Sequence, residues 1–498
     1  MAEPDELGFL GGGGAAGGWH DCPNATMFHA IHFIARTARE TTFNPENVNS
    51  IHIINFICEN YLPVTPLPES CQPANPNPIH TENILLPALA VAADNTIKQI
   101  TFSPDGQKLL VSDGDSAKLW DLNNLNPAET QSPVAVLPSS EAVNHGAISL
   151  DNQKAVTVDS GNILKLWNLA NLTFENAVPQ PELLDSIQLQ GEPWQAAFDP
   201  DGKRLVVVGN FKFAELYGIS EGNNGTEINH LTHLPHPDNV VYAAFSPDNA
   251  FLVTATDYPA ARYWELGRQP LSNEGERTLP LHAFMQPDFY IPDNAYLLTE
   301  TSDHPVAYSP SGRYLVTLLY QMGLVWDLED QYRNYLGEPR SSLLATAWHN
   351  QHDQYDYIVF ATFASSDQYL LTASTDKTAR LWDISQLSYS KNVDRVVPEL
   401  LAVLEHEDSV VYADFHPDKN YVVTASSNTV KLWNLNTIRC SSQNHLTPEL
   451  LATLPHEAPV QQVVFDPGKK FLVSISSDNK WFLWDISGLL SQSSNEEL

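Results

Sequence analysis

The feature that most constrains this chain is that it repeats itself. A short apolar segment ending in an aromatic and a polar residue recurs as AKLWDL from residue 117, LKLWNL from 164, AELYGI from 214 and ARYWEL from 261, then as GLVWDL from 323, ARLWDI from 379, VKLWNL from 430 and WFLWDI from 481. The aromatic falls at residues 120, 167, 217, 264, 326, 382, 433 and 484, so successive intervals are 47, 50, 47, 62, 56, 51 and 51 residues. A period of this size means that each unit is one supersecondary structure stacked on the next.

Three further signals recur in step with the aromatic. About two dozen residues earlier, an apolar run ends in a turn: ITFSPDG from 100, AAFDPDG from 196, AAFSPDN from 243, VAYSPSG from 306, ADFHPDK from 413 and VVFDPGK from 463. Proline presets φ at the second position of such a turn, and Asp, Asn and Gly tolerate the positions after it. Each turn leads into a run rich in β-branched residues, such as FLVTA from 251, YVVTA from 421 and FLVSI from 471, as strands favour. Apolar runs also precede the later units, as in PELLAVLEH from 398 and PELLATLPH from 448. Each unit therefore predicts four short strands joined by tight turns. Four-stranded sheets repeated radially make a β-propeller, and eight units predict an all-β, eight-bladed ring, with seven blades as the alternative count.

These motifs resemble the WD-repeat family, whose units carry a His ahead of the first strand and Trp-Asp at the end of the third; the resemblance spans about residues 83–486. It implies a hydrogen-bonded chain of His, Ser or Thr, turn Asp and Trp inside a blade. Position by position, unit eight supplies His456, Ser474, Asp478 and Trp484, and unit six supplies Thr372, Asp376 and Trp382. The histidine of unit six is either His349 or His352, of which His352 is carried forward. An indole N–H only donates, whereas a carboxylate accepts from several donors at once, so these residues are expected to staple strands rather than catalyse. Unit seven has His406, Thr424 and Trp433 but Asn428 in place of Asp, and unit four has His236, Thr254 and Trp264 with Asp257 one residue out of step. Units one, two, three and five lack a convincing set, and Tyr217 replaces Trp in unit three.

The last unit ends at WFLWDI without a following outer strand, whereas NILLPALAV, from Asn83, resembles PELLAVLEH yet precedes unit one. The expectation is that residues 84–91 lie alongside 481–486 and close the ring on its last blade, since closure removes the exposed edges that invite aggregation.

Residues 1–80 have another texture: a Gly-rich stretch at 8–18, two helical segments at 24–40 and 44–62, and a Pro-rich joint beyond them. The first helix places Met27, Ile31 and Ile34 on one face; the second starts with Asn44 as cap and Pro45 at its first position, and together they read as a short N-terminal helical extension. His20, Cys22, His29, His32, Cys58 and Cys71 match no strong zinc spacing, so no metal or other cofactor is expected. Residues 487–498 read as a polar C-terminal tail.

Two long intervals, 267–304 and 332–357, carry Phe284, Phe289, Tyr290, Tyr296, Trp348, Tyr355 and Tyr357. Rigid aromatics anchor interfaces, which makes these seven candidate partner-binding residues. Sixty acidic against 26 basic side chains give a net charge of −34. Such a field repels phosphate backbones and anionic lipid, so neither nucleic acid nor membrane is an expected partner, and a basic protein or peptide is. Four scattered cysteines suit a reducing cytosol better than a disulfide framework. No GxSxG elbow or HExxH motif is present, and no catalytic residue is assigned. The expected function is a non-enzymatic interaction scaffold. The alternatives are a hydrolase-like propeller enzyme with a channel-centred site lidded by 267–304, and a sensor coupled through the N-terminal helices.

Overall fold

A computed structural model describes residues 84–492 apart from 94, 123–131, 171, 173–180, 223–224, 257–260, 267–278, 280, 286–305, 334–338, 350–355, 388–396, 418–420 and 441–445. The two N-terminal helices, the Gly-rich stretch and the zinc candidates His20, Cys22, His29, His32, Cys58 and Cys71 lie outside the described residues.

The described chain is a succession of short antiparallel strands. After β1 (Leu89–Ala92) come β2 (Ile97–Phe102), β3 (Lys108–Asp113), β4 (Ser116–Asp121) and β5 (Ala135–Pro138), which form one four-stranded sheet in chain order. A second such sheet holds β6 (Val143–Ile148), β7 (Lys154–Asp159), β8 (Ile163–Asn168) and β9 (Glu182–Gln188). Three further runs of four follow: β10 (Pro193–Phe198) to β13 (Gly225–Pro235) through β11 (Arg204–Gly209) and β12 (Phe213–Gly222); β14 (Val240–Phe245), β15 (Phe251–Thr256), β16 (Ala261–Glu265) and β17 (Leu281–Met285); and β18 (Val306–Tyr308), β19 (Tyr314–Leu319), β20 (Met322–Arg333) and β21 (Pro339–Trp348). These three runs form one twelve-stranded sheet, joined by single residue pairs, Gly209 with Val240 and Phe284 with Arg340. Four-stranded sheets resume with β22 (Ile358–Phe363), β23 (Tyr369–Ser374), β24 (Thr378–Asp383) and β25 (Glu399–Glu405), then β26 (Val410–Phe415), β27 (Tyr421–Ser426), β28 (Thr429–Cys440) and β29 (Leu446–Pro455). The last sheet is β30 (Val460–Phe465), β31 (Phe471–Ser476) and β32 (Lys480–Asp485), completed by β1.

The turns explain the repetition. In the first connection of seven units, the residue after the turn's central pair is left-handed: Gly106, Asn152, Gly202, Asn249, Gly312, Asp367 and Lys469, with φ between 58° and 76°. Gly and Asn accept that region at least cost, which is why the Pro-Asp-Gly and Pro-Asp-Asn signals sit where they do. A serine at the head of several turns locks them: Ser103 Oγ donates to Asp105 at 2.6 Å and accepts the Lys108 N–H at 2.8 Å.

Burial places the core between successive sheets. Leu119 and Trp167 share one cluster, Val207 and Val158 the next, then Val208 with Trp264, Tyr263 with Trp326, Val325 with Trp382, and Leu381 with Trp433 and Trp484. A seventh cluster joins the last sheet to the first, through Trp481, Val473, Leu109 and Trp120. Each fully buried Leu or Val side chain contributes roughly 1.5–3 kcal/mol.

The closing strand lies a few residues further along than its sequence pattern indicated. Leu89, Ala90, Val91 and Ala92 pair with Leu483, Phe482, Trp481 and Lys480. Ile84 and Leu85 instead stand against Thr453 on β29, where the Leu85 N–H donates to the Thr453 carbonyl at 3.1 Å. Pro87 lacks an N–H and separates the two pairings. The two long intervals are likewise less irregular than the sequence suggested, since β17 and β21 lie inside them as fourth strands. Part of the polar tail is a helix, α1 (Ser487–Gln492), whose Leu489 and Leu490 pack on the core.

Candidate functional site

The motif residues meet inside the sheets. In the β22–β25 sheet, the Trp382 indole donates to Thr372 Oγ1 at 2.9 Å, and Thr372 Oγ1 lies 2.7 Å from His349 Nε2. His349 Nδ1 lies 3.0 Å from Asp376 Oδ2. Because the indole only donates and the carboxylate only accepts, the chain has one polarity: Trp to Thr, Thr to His Nε2, and His Nδ1–H to Asp. Asp376 also accepts from the Thr378 N–H at 2.9 Å, the Thr378 hydroxyl at 2.7 Å and Arg380 Nη2 at 3.3 Å. Burial, reinforced by the Arg380 charge, pushes His349 down to about 4. It is neutral at pH 7, so its contact with Asp376 is a hydrogen bond and Arg380 is the ionic partner. Burial raises Asp376, but the bonds from His349 and Thr378 and the Arg380 charge outweigh it and hold the carboxyl at about 2.

This places His349, not His352, at the histidine position; the backbone N–H of His349 bonds to the Gln321 carbonyl, which fixes it at the end of β21. His352 lies outside the described residues. Unit eight departs from its sequence match. His456 Nε2 lies 2.7 Å from Ser474 Oγ, which accepts the Trp484 indole at 2.8 Å, but His456 Nδ1 bonds to the Leu454 carbonyl at 3.1 Å. Asp478 turns away to Ser476 and to Lys480 Nζ, 2.9 Å distant, and Lys480 also holds Glu457. Lys480 stands where Thr378 stands in unit six, so a competing cation takes the carboxylate out of the chain.

Shorter versions recur. His236 and Trp264 meet on Thr254 at 2.7 and 2.8 Å, and His406 and Trp433 meet on Thr424, both at 2.8 Å. Burial pushes His236 and His456 down to about 4 and His406 to about 3. Two staples escaped the sequence reading: Trp167 to Thr157 and Trp326 to Thr317, each at 2.9 Å. Their signal was a Thr nine or ten residues before the Trp, which needs no His. In unit three the Tyr217 hydroxyl donates at 2.6 Å to Glu215, a buried carboxylate on its own strand. In unit one Val111 occupies the Thr position, and the buried Trp120 indole N–H has no hydrogen-bond partner.

Of the aromatic candidates, Trp348 packs partly buried beside the β14–β21 core and Tyr357 beside the β22–β32 core. Phe284 is placed by its backbone in β17, and Phe289, Tyr290, Tyr296 and Tyr355 lie outside the described residues. A different aromatic is exposed. Seven inner strands carry a register shift at their second residue, at Lys98, Asn144, Trp194, Val241, Val359, Val411 and Gln461. A bulge re-aims its side chain, and here Trp194 and Val411 are each 37% exposed. The loops leading into these strands expose Glu141, Glu192, Glu407, Asp408 and Glu457. Three lysines near the same loops are already engaged: Lys212 with Asp238 at 3.7 Å, Lys377 with the Glu407 carbonyl at 3.0 Å, and Lys480 with Glu457 at 2.5 Å. Among the described residues, no group of three or more His, Cys, Asp or Glu is arranged to hold a metal ion, and no helix is long and apolar enough to cross a membrane.

Four segments, residues 89–121, 343–383, 398–434 and 448–485, match the family described as WD domain, G-beta repeat. No curated protein matches the chain. Among solved structures, the C-terminal WD40 domain of Sif2 is similar with a TM-score of 0.56 at 14% identity, over 82% of this chain and 99% of that one. Sqt1 from Saccharomyces cerevisiae gives 0.58 at 12% identity, over 82% and 99%, and Sqt1 from Chaetomium thermophilum 0.58 at 15%, over 80% and 98%. The chain thus carries four WD repeats, set in sheets that share the fold of WD40 domains.

Proposed function

We propose that this chain is a non-enzymatic scaffold, an eight-bladed ring that presents one acidic end to a basic protein or peptide. Eight runs of four strands, packed each on the next and last on first, support the blade count. The staples are buried among strands and consume their own donors and acceptors, which supports a structural role for them. The observation that carries the binding reading is the end from which the inner strands start. There the bulges turn out side chains from successive sheets, Trp194, Val411 and Lys98 among them, within a rim of exposed carboxylates, while Lys212, Lys377 and Lys480 are already engaged. An exposed aromatic inside an acidic rim suits an extended segment bearing Lys or Arg, through cation–π contact and long-range attraction. The scattered cysteines and the absence of a long apolar helix among the described residues support a cytosolic setting.

Binding of a fluorescent Lys/Arg-rich peptide, followed by anisotropy at low and high salt, tests this reading. The expected result is salt-sensitive binding, weakened about tenfold by Trp194→Ala and further by joint Gln substitution of Glu141, Glu192 and Glu457. Equal binding by all variants would place the interface elsewhere.

A further inference from the structure

The first strand of every unit has one residue at the same register, paired with a Leu or Val of the second strand, and in every unit that residue is partly exposed. Seven units place a small uncharged residue there: Thr101, Ala147, Ala197, Ala244, Ala307, Thr362 and Val464. Strand β26 places Asp414 there, opposite Val423. Among the described residues its carboxyl accepts one hydrogen bond, from the adjacent Phe415 N–H to Oδ1 at 2.8 Å. A carboxylate has room for about four, and no donor reaches Oδ2. No cation answers it either. The neighbouring first strands β22 and β30 carry no titratable side chain, and β23 and β27 carry only Tyr369 and Tyr421. On β24, Arg380 is held by Asp376 and the Trp348 carbonyl, and Asp383 caps the turn at Ser385. Burial with so little compensation pushes Asp414 up to about 7. What stands beside it is aromatic. Tyr412, two residues earlier and so on the same face of β26, packs against Phe360 of β22 with ring centroids 4.2 Å apart and planes at 38°.

We propose that Asp414 is a recognition carboxylate for the basic partner: it receives one Lys ammonium or Arg guanidinium at the first strands, beside Tyr412 and Phe360. The inference rests on the scaffold reading above and adds to it one discrete pairing site, separate from the exposed rim carboxylates. A carboxylate with an unused oxygen next to aromatic rings suits a compact organic cation, through charge-assisted hydrogen bonds and cation–π contact. Left alone, a crowded carboxyl destabilises the fold at a position where four other units use alanine; the partner's cation offsets that penalty on binding. Because the cation pairs with the ionised carboxylate, binding displaces the proton that Asp414 holds near neutral pH. Proton release is therefore the signature of this site.

Anisotropy of the fluorescent Lys/Arg-rich peptide with the full-length chain at pH 8 and pH 6, at constant ionic strength, tests this together with calorimetry in two buffers of different ionisation enthalpy. The expected result is binding about tenfold weaker at pH 6 than at pH 8, with about one proton released per peptide bound at pH 6. Asp414→Asn removes both effects and weakens binding at pH 8 about tenfold. Asp414→Ala, which carries the side chain of four other units, binds as weakly as Asp414→Asn while its urea midpoint rises. Binding that keeps its pH dependence in Asp414→Asn, or affinity unchanged in both variants, overturns the assignment and leaves the acidic rim standing. No binding by the unmodified chain at either pH overturns the rim and Asp414 together.

Discussion

The β22–β25 and β2–β5 sheets are built on one strand plan and differ in what lies beneath the tryptophan. Under Trp382 a Thr, a His, an Asp and an Arg form one connected set; under Trp120 the Thr position is Val111 and the indole N–H bonds to nothing. Both sheets form, so the network is not what makes a blade. Apolar packing between neighbours does that, and the network adds rigidity to some blades and not to others. The cost structure differs too. A satisfied polar set in the interior becomes a liability once one member is removed, whereas an apolar site with a single orphan donor has only something to gain.

The largest expected effect is on the complete set. Asp376→Ala leaves Arg380 buried beside a neutral His349 and is expected to lower stability by about 3–5 kcal/mol, read as a shift in urea midpoint at constant slope. Loss of less than about 1 kcal/mol would mean that Arg380 finds water or another partner. Thr372→Val removes the hydroxyl that both Trp382 and His349 use, for about 1–3 kcal/mol. The converse change, Val111→Thr, supplies Trp120 with an acceptor and is expected to stabilise by about 0.5–1.5 kcal/mol; a loss of stability would show that Val111 packing outweighs the orphan donor. The smallest effect belongs to Asp478, which sits with Lys480 at the surface: Asp478→Asn is expected to cost below about 1 kcal/mol.

Acidification separates the two regions in another way. His236, His349, His406 and His456 are held below the usual 6.5 by burial, at about 4, 4, 3 and 4. The unfolded chain therefore binds more protons than the folded one between about pH 6.5 and 4, and stability falls as pH drops through that window. Asp414, which burial raises to about 7, and Asp466, which burial also raises, oppose this. Amide protection factors, which correct for the slower intrinsic exchange in acid, should thus fall at pH 5 in the sheets holding these histidines and change little in β2–β5. An equal response in β2–β5 would show that the histidines are not the cause.

Much of this was legible in the sequence because it is covalently local. The Pro-Asp-Gly turns, the β-branched runs and the tryptophan period each report a backbone requirement that only a few residue types meet, and they placed most of the strands and the strand that closes the last sheet. What the sequence did not reveal depends on competition between side chains in space. Asp478 matches the motif by position yet is captured by Lys480, two residues on. His349 and His352 are three residues apart in the sequence, and the end of β21 is what brings His349 to Thr372. Trp167 and Trp326 were passed over for want of a histidine that their bond to Thr does not need. Trp194 gave no signal at all, because its exposure comes from a bulge, and one unpaired residue in a strand leaves no mark on composition or period.

An experimental density map of the full-length chain, detailed enough to trace side chains, tests the central claim most directly. The account predicts eight four-stranded groups around one axis, with Val91 directly across from Trp481 and Trp481 edge-on to Trp120. Seven groups, or residues 89–92 anywhere but against 480–483, would contradict it.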